Sequence, residues 1–311
     1  MSTEQPRGTR SQPILYWNRA TGKTAEELIY GEGFMRWIYE TPAGRFFADA
    51  LFCRPVFSRL YGAYKRTRAS ASAIPGFVKR FDIRMEEFEA GDFRSFNDFF
   101  IRRFKPGARR FSEKPEELCA FAEGRYLAFE QLTEGQRFPV KSAAMSPEGL
   151  LSDGENGGEK ARLFAGGPVL VARLCPTDYH RFHYPDDGVT VEAYPIPGKL
   201  HSVNPLALKT RADVFVTNER RVSILRTKNF GDLAYVEVGA ICVGKIVQTR
   251  SELEPFCRGD EKGYFLFGGS TVIVLGEPGA WRPDADLLEQ TRLGRETLVR
   301  LGERVAKKCG Q

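Results

Sequence analysis

The sequence predicts an α+β fold, a mainly antiparallel β sandwich or barrel with a helical layer at its N-terminal end. Two observations carry this. Apolar residues recur at helical spacing through the first third of the chain, and from about residue 115 they give way to short β-branched runs separated by Gly, Pro, Asn and Asp. Helical patterns cover 24–64 and 84–104. In the first, Val56, Leu60 and Tyr64 share a stripe, as do Phe57 and Tyr61. The second reads Met85, Phe88, Phe96, Phe99 and Phe100 ahead of a Lys105-Pro106-Gly107 stop. Strands are predicted at Val169–Leu174, Val189–Tyr194, Val222–Thr227, Leu233–Val238 and Thr271–Leu275. The polar, Gly-rich stretch 146–167 reads as a loop with one short helix. A terminal helix is expected near 284–308, with Leu298, Leu301 and Val305 on one stripe. The division is a helical, basic region over 1–110 and a β-rich catalytic domain over 111–311.

A chain of 311 residues can bury one large core or two smaller ones. With 42% hydrophobic and 28% charged residues, disordered and collagen-like classes are excluded. No stretch reaches the roughly 18 apolar residues of a spanning helix, and Met1 to Pro13 lacks an apolar signal core. The expectation is a protein peripherally attached to the cytoplasmic face of the cell membrane. Six cysteines at long intervals, with no CxxC, read as reduced and mostly buried.

Charge is uneven. Residues 1–110 hold 20 Lys/Arg against 12 Asp/Glu, net +8, and the remainder holds 26 against 28, net −2. The excess sits beside Phe34, Trp37, Phe46, Phe47, Phe57 and Tyr61, with Arg54, Arg59, Lys65, Arg66 and Arg68 interspersed. Aromatic and basic residues on short amphipathic helices suit the headgroup boundary of an anionic membrane. The same faces would also serve simply to pack on the body. Nucleic acid is not an expected partner, because no recognition module is present. A homo-oligomer stays open.

Chemistry concentrates in two motifs. All three histidines, His180, His183 and His201, fall within 22 residues, two of them in Asp178-Tyr-His-Arg-Phe-His183. No Cys, Asp or Glu stands at the spacing that would complete a zinc set, so no metal is expected, and acid–base work is the better reading. His201 reads as a partly buried loop histidine. The second motif is Phe267-Gly268-Gly269-Ser270-Thr271 ahead of an apolar strand. Alone it would be a tight turn. With a base nearby, Ser270 can attack the carbonyl of Gly269, and the resulting ester can eliminate to split the chain and leave a pyruvoyl group at position 270.

The motifs Tyr16-Trp-Asn-Arg-Ala-Thr-Gly-Lys23, Ser95-Phe-Asn-Asp-Phe-Phe100, Lys105-Pro-Gly-Ala-Arg109, Asp178–His183, Gly198-Lys-Leu-His-Ser-Val-Asn-Pro205, Asn218-Glu219-Arg220, Tyr235–Gly244 and Glu261–Thr271 occur in an order and spacing that resembles phosphatidylserine decarboxylase, its clostridial and chlamydial branch in particular. The resemblance runs almost end to end. It implies self-cleavage between Gly269 and Ser270 into a β chain, 1–269, and an α chain, 270–311. It implies a pyruvoyl cofactor made from Ser270, which forms a Schiff base with an aminophospholipid substrate. By the same resemblance Glu123, at the position of a family Asp, His183 and Ser270 form the processing triad, and His180 acts on substrate. Three other readings stay open. They are a soluble pyruvoyl decarboxylase of free amino acids or amines, an uncleaved serine hydrolase, and a processing-dead relative that binds lipid.

Overall fold

In the computed structural model, residues 13–132, 136–137, 144–152, 158–211, 213–241, 245–251, 254–268 and 270–310 are described. The expected α+β architecture is present, with strands packed as an open sandwich rather than a closed barrel. In chain order the strands are β1 (Leu15–Asn18), β2 (Lys23–Glu26), β3 (Glu117–Cys119), β4 (Gly124–Phe129), β5 (Gln136–Arg137), β6 (Ala144–Met145), β7 (Val169–Leu174), β8 (Arg181–His183) and β9 (Gly188–Ile196). They continue as β10 (Arg220–Thr227), β11 (Asp232–Gly239), β12 (Ile246–Gln248), β13 (Glu261–Phe265), β14 (Ser270–Gly276), β15 (Trp281–Pro283), β16 (Glu296–Val299) and β17 (Arg304–Lys308).

A nine-stranded sheet runs β2-β1-β16-β4-β7-β14-β11-β10-β9, with β12-β13-β8 and β15-β17-β3 as smaller sheets. Every pairing is antiparallel except β1 on β16. The central strands β7, β14 and β11 read as almost continuous apolar runs because both their faces are covered. Phe121, Phe182, Tyr235 and Phe265 fill the space between the large sheet and β12-β13-β8. A buried pair crosses it too, Lys262 Nζ donating to Glu237 at 2.6 Å.

Four stretches differ from expectation. The run 24–64 is not one helical pattern. It opens with β2, and its helices are α1 (Glu32–Glu40), α2 (Pro42–Phe47), a π-helical turn (Ala48–Phe52) and α3 (Pro55–Lys65). Pro42 and Pro55 lack the N–H that a continuing helix needs, so each starts a new one. Thr41 caps α2 by accepting from Gly44 N–H at 3.0 Å. Over 84–104 only a 3₁₀ turn, Met85–Glu87, and one short helix, Phe96–Phe100, are helical. The terminal helix is a correction: a helix does occupy Ala285–Arg292, but the chain then forms β16 and β17. Gly294 and Gly302 break the helical period with φ of 75° and 81°. A Cβ on Gly302 would also stand 2.5 Å from the Arg110 carbonyl. The stretch 146–167 holds two helices, Pro147–Leu151 and Gly158–Phe164, rather than one.

The helical layer positions the site. Ile38 and Tyr39 of α1 pack on Leu206, Ala207 and Ile241 of the body. Phe77, Phe96, Phe99 and Phe100 close around Phe267, just ahead of the Gly-Gly-Ser motif.

Candidate active site

Ser270 opens β14 in the middle of the large sheet, paired with Leu174 on one side and Gly239 on the other. It is wholly buried, and its Oγ has no hydrogen-bond partner. The approach to it is held by Asn97 Oδ1, which accepts from Phe267 N–H at 3.1 Å. Gly268 follows at φ 145°, a conformation closed to other residues. Gly269 lies outside the described residues.

His180 and His183 face opposite ways. Along β8 side chains alternate, so Phe182 enters the core while Arg181 and His183 take the other face. His180, just before the strand, is wholly buried, and its ring lies 3.8 Å from that of Phe100. Its Nδ1 is 3.0 Å from the Asp178 carbonyl. A carbonyl only accepts, so Nδ1 carries the proton, and in the neutral ring Nε2 holds a lone pair. Nε2 is buried without a hydrogen-bond partner of good geometry. Burial lowers the His180 pKa to about 3, against weaker opposing pulls from the Asp178 and Gly268 carbonyls. The ring is therefore neutral at physiological pH, with the Gly268 carbonyl close by.

His183 is occupied on both nitrogens. Nδ1 lies 2.8 Å from the Gly259 carbonyl and Nε2 lies 3.3 Å from the Tyr179 hydroxyl. Burial again lowers its pKa. Glu123 is bonded elsewhere: Arg109 donates to Oε1 at 2.7 Å and Leu301 N–H to Oε2 at 3.0 Å. The two segments nevertheless run side by side, since His183 N–H donates to Phe121 O at 2.7 Å. The structure thus places His180 by the Gly268-to-Ser270 turn and the segment leading to Glu123 alongside that of His183. It shows no hydrogen bond joining Glu123 to His183, or His183 to Ser270. His201 is fully buried, not partly. Its Nδ1 is 3.1 Å from Cys53 Sγ, away from the other two histidines in the sequence motif.

A cavity of about 350 Å³ reaches Gly268. Its walls are mostly apolar, from Tyr30, Phe34, Phe57, Tyr61 and Phe267, with Arg173 as a polar exception. Phe34 is itself exposed, and Phe46 and Leu60 of the same helical layer are each 69% exposed. Among the described residues no group of three or more His, Cys, Asp or Glu is placed to hold a metal ion.

A sequence profile of the phosphatidylserine decarboxylase family matches residues 96–307. The chain is 41% identical over 297 residues to a phosphatidylserine decarboxylase proenzyme of Clostridium beijerinckii, covering 95% of this chain and 99% of that one. Proenzymes of the same name from Chlamydia pneumoniae (41%, covering 95% and 98%) and Desulfitobacterium hafniense (40%, covering 94% and 97%) align equally fully. The chain belongs to the phosphatidylserine decarboxylase family. Within this family member, sequence reasoning missed Asn97, Phe100, Asp178 and Tyr179 as parts of the site. Their motifs were visible, but nothing in a single sequence says that Asn97 meets Phe267 across 170 positions.

Proposed function

We propose that the protein decarboxylates phosphatidylserine to phosphatidylethanolamine and CO₂, using a pyruvoyl group made from Ser270. The observation that carries this is the pair of buried, unpartnered atoms at the Gly268-to-Ser270 turn, Ser270 Oγ and His180 Nε2, in a chain of this family. Ser270 fits the role of precursor, because the positive φ of Gly268 allows the tight turn that brings a hydroxyl to its own preceding carbonyl. Its Oγ attacks the Gly269 carbonyl, the C–N bond breaks, and an ester forms. Loss of the Cα proton then breaks the Cβ–Oγ bond, leaving a carboxylate on Gly269 and a dehydroalanine at 270, which takes up water and releases ammonia. The pyruvoyl carbonyl then supplies an electron sink to the amine of the substrate, so that its carboxyl leaves as CO₂.

His183 takes the Ser270 proton during cleavage, with Glu123 behind it, and His180 acts on substrate through its open Nε2. Closing that triad requires Glu123 to turn from Arg109 and His183 to leave both Tyr179 and the Gly259 carbonyl. A second reading has His180 take the Ser270 proton itself, favoured by the two open atoms. The products, 1–269 and 270–311, stay bound. The apolar cavity receives the lipid, and exposed Phe46, Leu60 and Tyr64, beside exposed Arg45, Arg54, Arg59 and Arg66, seat the protein on an anionic membrane at the cytoplasmic face. No described helix is long and apolar enough to cross a membrane.

The test is intact-mass analysis of the purified chain with a CO₂-release assay on phosphatidylserine vesicles. Two fragments meeting at Gly269/Ser270, the smaller with a ketoacyl terminus, and CO₂ release are expected. One uncleaved chain that binds vesicles and releases nothing would leave a lipid-binding protein instead.

A further inference from the structure

Strands β4 and β7 place Arg125 directly opposite Arg173, both buried, at the site end of the sheet. Two guanidiniums facing each other repel unless carboxylates come between them. Glu27 does so, with Oε2 2.8 Å from Arg125 Nε and 2.6 Å from Arg173. Burial would raise the Glu27 pKa, but the two arginines outweigh it and hold it down to about 2. Arg173 also donates to Glu296 and, at 2.9 Å, to Cys175 Sγ, while Arg125 turns to Asp178, at 2.6 Å.

That last contact leads to the reaction. The same Asp178 oxygen accepts from Cys175 N–H at 2.7 Å, and Asp178 N–H returns to the Cys175 carbonyl at 2.8 Å, so the turn from Cys175 to Asp178 is closed from both ends. The Asp178 carbonyl it presents fixes His180 Nδ1. Arg102 supports the same turn from beneath, donating to Thr177 O at 2.9 Å and Asp178 O at 3.3 Å. We propose that Arg125, held by Glu27, is a positioning residue that locks this turn and thereby sets the ring of His180. Buried ion networks add little stability over apolar packing of equal volume, so what this one supplies is fixed geometry. The inference rests on the reading in which His180 acts on substrate.

The test measures decarboxylation by matured enzyme, with kcat and KM taken separately on mixed micelles of phosphatidylserine. Displacing a catalytic group by about 1 Å costs up to about 100-fold. Arg125→Met should therefore lower kcat about 10- to 100-fold and leave KM within about twofold. Arg125→Lys should recover much of the loss. If Arg125→Met does not fold, Asp178→Asn takes its place, keeping an acceptor for Cys175 N–H while losing the ionic hold on Arg125. It should show the same split. Wild-type kcat in the variant that folds overturns the proposal, as does a change confined to KM or a lysine variant no better than methionine. A folded variant that never cleaves, while His180→Ala does, also overturns it, because Arg125 would then act by a route that bypasses His180. His180→Ala is the control: full decarboxylation in that variant sinks the reading of His180 itself, whereas a dead control beside a normal Arg125→Met sinks only the positioning role.

Discussion

His180 and His183 share one six-residue motif, yet the fold gives them different surroundings. The turn ends and the strand begins between them, so strand alternation sends His183 away from the core side that holds His180. Sequence showed both histidines and the serine, but not this divergence, which depends on where β8 starts. It also could not show that Glu123 pairs with Arg109, or that Asp178 rather than Glu123 is the acidic residue whose backbone holds a histidine. Single substitutions separate the roles. His183→Ala is expected to leave the precursor as one chain. His180→Ala is expected to cleave and then lose at least about 100-fold in decarboxylation, the scale of general acid–base assistance. Uncleaved His180→Ala beside cleaved His183→Ala on a denaturing gel would establish the second reading. Burial of these rings also predicts acid lability. In the unfolded chain a histidine protonates below its ordinary pKa of 6.5, whereas folded His180 resists until about 3. The unfolded state thus binds the extra proton, and stability falls as pH drops below about 6.5, by roughly 1.4 kcal/mol per pH unit for this one group. Glu27, held to about 2, adds to the loss below its ordinary 4.5. Urea midpoints should be lower at pH 5 than at pH 7. Equal midpoints would mean that the rings are not held neutral.

At the scale of elements, the aromatic and basic front was legible as helical because its period was right, whereas its breaks at Pro42 and Pro55 were not anticipated. The hairpin β1-β2 was not, because four-residue strands of mixed polarity carry no period. Nor were β16 and β17, whose buried Val299 and Val305 fall close to a helical stripe with Leu301. Exposed Phe46, Val56 and Leu60 remain uncovered by the body, and the cavity reaches inward from exposed Phe34. A patch of this kind marks an interaction surface. Replacing Phe46 and Leu60 together by Ser removes two side chains worth up to about 1.5–3 kcal/mol each on full burial. Flotation with phosphatidylglycerol vesicles is expected to weaken about tenfold or more, without loss of self-cleavage. Raising salt from 0.15 M to 1 M shortens the screening length from about 8 Å to about 3 Å and should weaken it further. Flotation indifferent to both changes would place the lipid-facing surface elsewhere.

At the scale of the whole molecule, the order of strands decides what the proposed cleavage would do. That order was not legible, because β14 lies between β7 and β11, and β16 between β1 and β4, through contacts far apart in sequence. The 42 residues from Ser270 to Gln311 supply β14, β15, β16 and β17, and so enter both the nine-stranded sheet and the sheet β15-β17-β3. Val272, Ile273, Val274, Leu275, Trp281, Leu287, Val299 and Val305 are all buried within the body. Pulling the fragment out would expose each of these, at about 1.5–3 kcal/mol per large apolar side chain, and leave the central ladder unpaired. A cut between Gly269 and Ser270, as proposed, would fall where Ser270 begins its strand, so the pairings of β14 with β7 and β11 would be retained on one side of the break. Cleavage is therefore expected to leave one particle made of two chains. Such a nick would change the thermodynamics, because unfolding would then release two molecules and its midpoint would rise with protein concentration. Uncleavable Ser270→Ala unfolds as one chain and should show no such dependence. Matured protein should elute from gel filtration as a single species, split into two bands only under denaturant, and gain in thermal midpoint over a hundredfold concentration range. A small fragment eluting alone in native buffer would contradict the interlaced strand order itself.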